Sequence, residues 1–301
     1  MDQPMTVLIL GGSGMLGHKL WLTFRDRFNA YVTLRQPFAE YAHLNIFDPK
    51  KSFDLVDVKS NENLLRVLEK TKPNVIINCI GIVKQVPAAK DPILSIKINS
   101  LLPHELEKMA KTYGAKLIHI STDCIFEGGK GNYTEEEPSR ADDLYGLTKL
   151  LGEVSAPPTL TLRTSIVGRE LLRRFGLLEW FLSRRRGQKV SGYTKAIFSG
   201  FTTQVLAETL AWIIRSHRDL TGIYHLSSFP ISKYELLKKL QKTFNLDIEF
   251  APFDDFNCDR SLNGNRFNSA TGFTPPSWDE MIQGLKKEDP FYKELAHVTY
   301  R

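Results

Sequence analysis

Cysteine is scarce in this chain of 301 residues. The three present, Cys79, Cys124 and Cys258, are odd in number and widely spaced. They make neither a disulfide framework nor a zinc cluster, and a reducing compartment is the simplest reading. Metal ligation is not expected. Long apolar runs are also missing, since none approaches the roughly 18 residues that a membrane span requires. The first residues, MDQPMTVLILGG, have no basic stretch ahead of their short apolar run, so they read as a strand and not as a signal peptide. A cytoplasmic protein without membrane contact is expected. Blocks of one charge are absent too. The net charge is +6, yet the densest basic run, Arg184-Arg185-Arg186, is short. That argues against a nucleic-acid arm and leaves attraction for a small polyanion such as a nucleotide. The 20 glycines and 15 prolines follow no period, and no repeat of roughly 20–50 residues is visible.

What is there is ordinary for a globular protein: 42% hydrophobic and 25% charged residues, enough for a full core. The first half alternates. Apolar runs at 6–10, 31–35, 53–58, 74–81 and 116–121 read as strands. Between them, Leu16, Leu20, Phe24 and Phe28 recur at helical spacing, and 61–71 and 93–112 read as helices. Pro103 lies inside the last of these and should bend it or start a new helix. Strands alternating with helices predict parallel βαβ units, hence an α/β fold with a doubly wound parallel sheet. In the second half, 160–166 and 222–228 read as strands and 202–217 as an amphipathic helix. Ser232 with Glu235, and Ser277 with Glu280, are capping-box patterns that predict helices starting near 233 and 278. The expected division is residues 1–166 plus the returning strand 222–228 as one domain. A smaller mixed lobe would be built from about 167–219 and 229–301.

Gly11-Gly12-Ser13-Gly14-Met15-Leu16-Gly17 follows the first strand and opens the first helix. Glycine permits left-handed backbone and a close approach to a pyrophosphate. The helix N-terminus adds free N–H groups and partial positive charge. The glycines are three apart, unlike the first-third-sixth spacing of the dehydrogenase fingerprint. The second strand ends at Arg35, with no carboxylate beside it. An arginine suits a ribose 2′-phosphate, so NADPH is preferred, with NADH left open.

Tyr145 and Lys149 are four residues apart and would share a helix face. Tyr234 and Lys238 have the same spacing without such a setting, so the spacing alone says little. Tyr145 instead follows the strand that ends in Ser121-Thr122-Asp123, and parallel sheets place their sites at strand C-terminal ends. An ammonium about 4 Å from a phenol is worth roughly 4 kcal/mol at an effective dielectric near 20. Lys149 is therefore expected to bring Tyr145 toward physiological pH, where a general acid works well.

These segments together resemble the extended short-chain dehydrogenase/reductases, and more narrowly the dTDP-4-dehydrorhamnose reductase family of sugar-nucleotide reductases. The carrying stretches are LILGGSGMLG (8–17), NCIGI (78–82), INSLLPHEL (98–106), HISTDCIFEGGKGNYTEEE (119–137), DLYGLTKLLGE (143–153), LRTSIVG (162–168) and DRSLNGNRF (259–267). The resemblance implies a Rossmann domain with a substrate-binding lobe, and Thr122, Tyr145 and Lys149 as the catalytic set. It implies that Gly11, Ser13, Gly14, Met15, Leu16 and Gly17 hold the pyrophosphate, Asp57 and Val58 the adenine, and Ile80, Gly81, Val83 and Asn99 the nicotinamide side. On the sugar-nucleotide side it implies Gln85, Thr122, Cys124, Ile166 and Arg260, the last at the diphosphate. The family often has an aromatic residue at the position of Cys124 and a tryptophan near Ile166, so the sugar is left open.

Related dehydratases carry a glutamate where Cys124 stands, which argues against dehydration here. GDP-fucose synthases carry a cysteine at that spacing, but they also need a histidine after the later strand, and 167–190 has none. Simple reduction of a 4-keto-6-deoxy sugar nucleotide is the favoured activity. The alternatives are a non-catalytic NADP-binding subunit that regulates a partner enzyme, and an NAD-dependent epimerase. A homodimer is a fair expectation. His119 and His225, inside apolar strands, read as satisfied core residues. Glu135-Glu136-Glu137 with Asp142-Asp143 reads as a solvated acidic loop.

Overall fold

Seven parallel strands form the main sheet of this computed structural model, which describes residues 4–172, 174–184 and 186–299; Arg185 of the basic run lies outside them. In chain order they are β1 (Thr6–Leu10), β2 (Asn29–Thr33), β3 (Ser52–Phe53), β4 (Val75–Asn78), β5 (Lys116–Thr122), β6 (Leu160–Thr164) and, after three strands outside the sheet, β10 (Gly222–His225). Those three are β7 (Ile166–Val167), β8 (Lys189–Phe198) and β9 (Phe201–Thr202). The spatial order is β10-β6-β5-β4-β1-β2-β3, and every pair is parallel. The order reverses between β1 and β4, which opens a crevice beyond their C-terminal ends.

The strands are apolar because both faces are covered. Val7 and Ile9 of β1 face one core, with Leu20 and Phe24 of helix α1 (Met15–Phe24). Leu8 and Leu10 face the other, with residues of α3 (Asn61–Thr71) and α5 (Leu102–Tyr113). The remaining helices are α2 (Ala39–Ala42), α4 (Pro92–Ser95), α6 (Leu144–Leu151), α7 (Leu177–Leu182), α8 (Thr203–Ser216), α9 (Lys233–Phe244), α10 (Asn265–Thr271) and α11 (Trp278–Thr299). Both helix caps are formed, the Ser277–Glu280 box from both sides. Ser232 Oγ accepts from Glu235 N–H at 3.0 Å, and Glu280 Oε2 accepts from Ser277 N–H at 2.8 Å.

Several boundaries differ from expectation. The second strand lies two residues earlier than 31–35, and of 53–58 only Phe53 is in a strand, Ser52–Phe53. Leu55, at φ 54, turns the chain left-handed and ends pairing there. The stretch 93–112 is three pieces, α4, a π-helical turn (Ile96–Leu101) and α5. Pro103 sits in the first turn of α5, where its missing N–H costs nothing. The wide turn before it absorbs the change of phase. The run 160–166 breaks at Ser165, and the strand read as 222–228 ends at His225.

The smaller sheets were not anticipated. β8 pairs in parallel with β12 (Glu249–Asp259) and antiparallel with β11 (Ile231–Ser232). β12 carries Pro252, is largely exposed, and is irregular between Phe253 and Asn257, so it lacks the apolar signature of a core strand. Among the described residues no helix is long and apolar enough to cross a membrane.

Candidate active site

Backbone crowding shapes the turn after β1. Gly11 has φ +86, and a Cβ on Gly17 would lie 2.1 Å from the Gly11 carbonyl oxygen. A Cβ on Gly12 would lie 2.0 Å from Val32 Cγ2. Only glycines let α1 start this close to β1 and β2. Gly14 is the N-cap of α1 and makes no side-chain capping bond, so the first N–H groups face the crevice with their partial positive charge. Ser13 lies in the same turn, Leu16 is buried, and Met15 reaches toward Gly176 in the loop before α7.

That turn is braced from the far end of the chain. His18 Nδ1–H donates to the Gly14 carbonyl at 2.8 Å, which leaves Nε2 to accept from the Tyr292 hydroxyl at 2.7 Å. Burial lowers the His18 pKa to about 4, so the ring is neutral. Lys19 and Glu288 pair at 2.6 Å beside it. Arg169 bridges Glu179 at 2.6 Å and Asp289 at 2.7 Å.

Ile80 flanks Gly11, and Gly81 faces Asn99. Asn99 Oδ1 accepts from Ile82 N–H at 2.8 Å, and its amide donates to the Ile82 carbonyl at 3.0 Å and to Thr148 Oγ1 at 3.2 Å. The π turn thus ties the segment after β4 to α6. Val83 and Gln85 are exposed in that segment. Arg35 stands exposed beyond β2, with no hydrogen bond or ion pair among the described residues. Asp57 pairs with Lys59 at 3.1 Å, next to a partly buried Val58.

Asp143 caps α6 by accepting from Gly146 N–H at 2.8 Å. A Cβ on Gly146 would meet the Cys124 carbonyl oxygen at 2.3 Å, so this helix sits directly on the end of β5. Tyr145 and Lys149 follow on it, and Thr122 and Cys124 lie beneath. Burial pushes the Tyr145 phenol well above its ordinary range, as do nearby Cys124, Asp123 and Asp143, while its hydrogen bond with Thr122 acts the other way. The expected lowering by Lys149 is not what this arrangement produces. Lys149 Nζ instead donates to the Ile120 carbonyl at 2.8 Å and lies 3.4 Å from His119 Nε2. Burial lowers its own pKa to about 8, against the carboxylate of Glu153 and the Cys79 thiol.

Thr122 Oγ1 donates to Asp123 Oδ1 at 3.2 Å and accepts from Cys124 N–H at 3.2 Å. Ser165 Oγ donates to the other Asp123 oxygen at 2.6 Å. Arg260, just past β12, donates to the Phe126 carbonyl at 2.8 Å and reaches Cys124 Sγ at 3.8 Å. It also approaches Asp142 at 3.7 Å. The structure therefore gathers Thr122, Cys124, Tyr145, Lys149 and Arg260 around one strand end, with Ile166 on the adjoining β7. Arg35, Val83 and Gln85 stand on the exposed rim.

Sequence reasoning missed Lys84, which pairs with Asp143 and lies 5.7 Å from the Tyr145 ring centroid. It also missed the buried Arg163–Glu153 pair at 2.8 Å, whose carboxylate accepts from Ser121 at 2.6 Å. An aspartate directly before a helix was a readable cap signal for Asp143. The acidic loop is not merely solvated. Glu135 accepts from His225 N–H at 2.7 Å, and Glu137 pairs with Lys130 at 2.6 Å.

Residues 5–287 match the family described as RmlD substrate binding domain. The chain belongs to that family. A dTDP-4-dehydrorhamnose reductase of Burkholderia thailandensis is 33% identical over 178 residues, 56% of this chain and 54% of that protein. The match thus spans about half the length of that relative. The methionine adenosyltransferase 2 subunit beta of Xenopus laevis is 27% identical over 93% of this chain and 81% of its own. The dTDP-4-dehydrorhamnose reductase of Bacillus anthracis, solved in complex with NADP, superposes with a TM-score of 0.77 at 22% identity. It covers 95% of this chain and 100% of that one, and it shares the fold.

Within this RmlD-type site, burial foremost raises the Cys124 pKa to about 11, with Asp123 adding to it and Lys84 and Arg260 opposing. The thiolate is the reactive form. Alkylation of Cys124 by iodoacetamide, followed by peptide mass spectrometry, is expected to be slow at pH 7 and to quicken about tenfold per pH unit toward pH 11. A rate that levels off near pH 8 would contradict this picture of the pocket.

Proposed function

We propose that the chain is an NADPH-dependent reductase of the C4 keto group of a nucleotide-activated 4-keto-6-deoxy sugar. The observation that carries the reading is the meeting of Tyr145, Thr122 and Lys149 beside the switch point that also holds the glycine turn. The turn fits a dinucleotide, because its glycines keep clear the space that a Cβ would fill and α1 starts without a side-chain cap. Exposed Arg35 would hold the 2′-phosphate, Asp57 and Val58 the adenine, and Ile80, Gly81, Val83 and Asn99 the nicotinamide side. Residues 1–166 with strand 222–228 would form the dinucleotide domain. The remaining lobe, 167–219 and 229–301, would take the sugar nucleotide.

When bound, the nicotinamide supplies the hydride received by the C4 carbonyl carbon. Tyr145 gives its proton to the carbonyl oxygen, which makes the alcohol. Its high pKa keeps that proton in place until charge develops on the oxygen. Thr122 Oγ1 orients the oxygen, with Asp123 and Ser165 fixing the strand end. Lys149 anchors the nicotinamide ribose and its positive charge stabilises the tyrosinate left behind. Arg260 would meet the diphosphate, while Gln85, Cys124 and Ile166 would border the sugar.

The second reading is a non-catalytic NADP-binding subunit of a partner enzyme. It is favoured by the relative named methionine adenosyltransferase 2 subunit beta, whose match covers 93% of this chain. Retention of all three catalytic side chains supports the first reading over it. A panel of dTDP-, UDP- and GDP-4-keto-6-deoxy sugars, made in place by dehydratases, separates them. NADPH oxidation with one nucleotide class is expected, and Tyr145→Phe is expected to lower kcat/KM by about 10²–10⁴-fold. Binding of NADPH without turnover on any member of the panel would favour the subunit reading.

Arg35→Ser is expected to weaken NADPH about 10- to 100-fold and to leave NADH within a few-fold, by the usual worth of a charge-assisted hydrogen bond. Equal losses for both cofactors would remove the 2′-phosphate role. A homodimer is proposed through the face of α4, the π turn and α6. There Ile93 is 78% and Leu151 63% exposed, with Ile96, Leu101 and Leu147 beside them. Light scattering should give twice the 34.3 kDa chain mass for the wild type and the single mass for Leu151→Glu; a monomeric wild type ends that proposal.

A further inference from the structure

A line of buried polar atoms runs under the catalytic helix. Asn78, at the end of β4, places its side-chain amide 3.1 Å from His119 Nδ1. His119, on β5, places Nε2 3.4 Å from Lys149 Nζ. All three residues are at least nine-tenths buried, so water cannot correct a mismatch among them.

The direction of the line follows from its first member. The Ile80 backbone N–H can only donate, and it donates to Asn78 Oδ1 at 3.1 Å. The other half of the amide, Nδ2, therefore faces the ring, and His119 Nδ1 must accept. Burial, with the nearby charges of Lys149 and His104, holds His119 neutral. A neutral imidazole that accepts at Nδ1 carries its hydrogen on Nε2, directed at Lys149. An ammonium has three hydrogens and no lone pair, whereas an amine has one lone pair to offer.

We infer that His119 is a positioning residue that sets the protonation of Lys149: its Nε2–H opposes the ammonium and favours the amine. The ring cannot escape by moving its hydrogen to Nδ1. There it would meet the Asn78 N–H groups, and Asn78 cannot turn round without removing the acceptor from Ile80. The other titratable groups acting on Lys149 are Cys79 and Glu153. Cys79 and Glu153 favour the ammonium, but Glu153 is already bound by Arg163 and Ser121. The histidine and the loss of water thus act together against them.

The consequence for catalysis rests on the reductase reading. If the ammonium supports Tyr145, activity falls on the alkaline side as Lys149 loses its proton. His119 then places that fall lower in pH than a lysine without it. Replacing the ring by an acceptor reverses the effect, and the side-chain oxygen of His119→Gln can take a hydrogen from the ammonium.

The test uses nuclear magnetic resonance on the full chain without ligand. Labelled histidine reports which ring nitrogen carries the hydrogen, and labelled lysine, assigned with Lys149→Met, reports the Lys149 titration. The wild type is expected to show His119 neutral with hydrogen on Nε2, and a Lys149 midpoint near 8. His119→Gln is expected to raise that midpoint by at least about one pH unit, a tenfold change in proton affinity. A ring protonated on Nδ1, or a Lys149 midpoint that His119→Gln leaves in place, overturns the inference. The ring measurement needs no variant, so it decides even if His119→Gln does not fold. Both readouts are independent of turnover, so an inactive wild type would remove the reductase reading alone.

Discussion

A lysine nitrogen held away from water is the constraint around which this site is arranged. Among the described residues Lys149 has no carboxylate as a direct partner; it has the Ile120 carbonyl on one side and the His119 ring on the other. Burying a charge under such terms is costly unless its surroundings are fixed. The surroundings are fixed from three directions. β5 supplies the carbonyl and the ring, the turn after β4 orients the ring through Asn78, and the π turn fastens α6 through Asn99 and Ser100. Tyr145 and Thr122 inherit their positions from that frame. Gly146 and Gly152 make it possible, since a Cβ on Gly152 would lie 1.9 Å from the Asn99 carbonyl oxygen.

The parts of the site that could be read from the chain are those whose cause is local. A glycine turn between an apolar run and a helical repeat needs only neighbouring residues to be understood. The same holds for the caps at Ser232 and Ser277, and for the pairing of Tyr145 with Lys149 on one helix face. What could not be read depends on atoms far apart in the chain. Lys84 reaches Tyr145 across a turn, Arg163 on β6 finds Glu153 after α6, and Lys149 donates to a carbonyl of β5. Spacing alone suggested that the ammonium would lower the phenol, whereas the packing of α6 on β5 buries the phenol and raises it. The paired strands β8 and β12 were hidden for a different reason. β8 alternates buried Val190, Gly192 and Ala196 with exposed positions, a signal that was present but overlooked, whereas β12 is too polar and too irregular to declare itself.

Beside the proposed catalytic groups, two residues distant in the chain come together. Cys124 and Arg260 meet at the end of β5, although 136 positions separate them. A small thiol there leaves room that an aromatic ring would occupy. The guanidinium is held by the carbonyls of Phe126 and Glu127, so in the proposed role at a diphosphate it would lose little freedom on binding.

The brace of His18 by Tyr292 also bears on how the protein comes into being. The glycine turn lies between β1 and α1, while the hydroxyl that completes its support is 274 positions further on. The nascent chain can pair β1 with β2 early. The histidine that holds the Gly14 carbonyl nevertheless lacks its second partner until α11 has been made and has folded back. Stiffening of the turn therefore waits for α11, and a chain that lacked α11 would keep the turn and forfeit its brace.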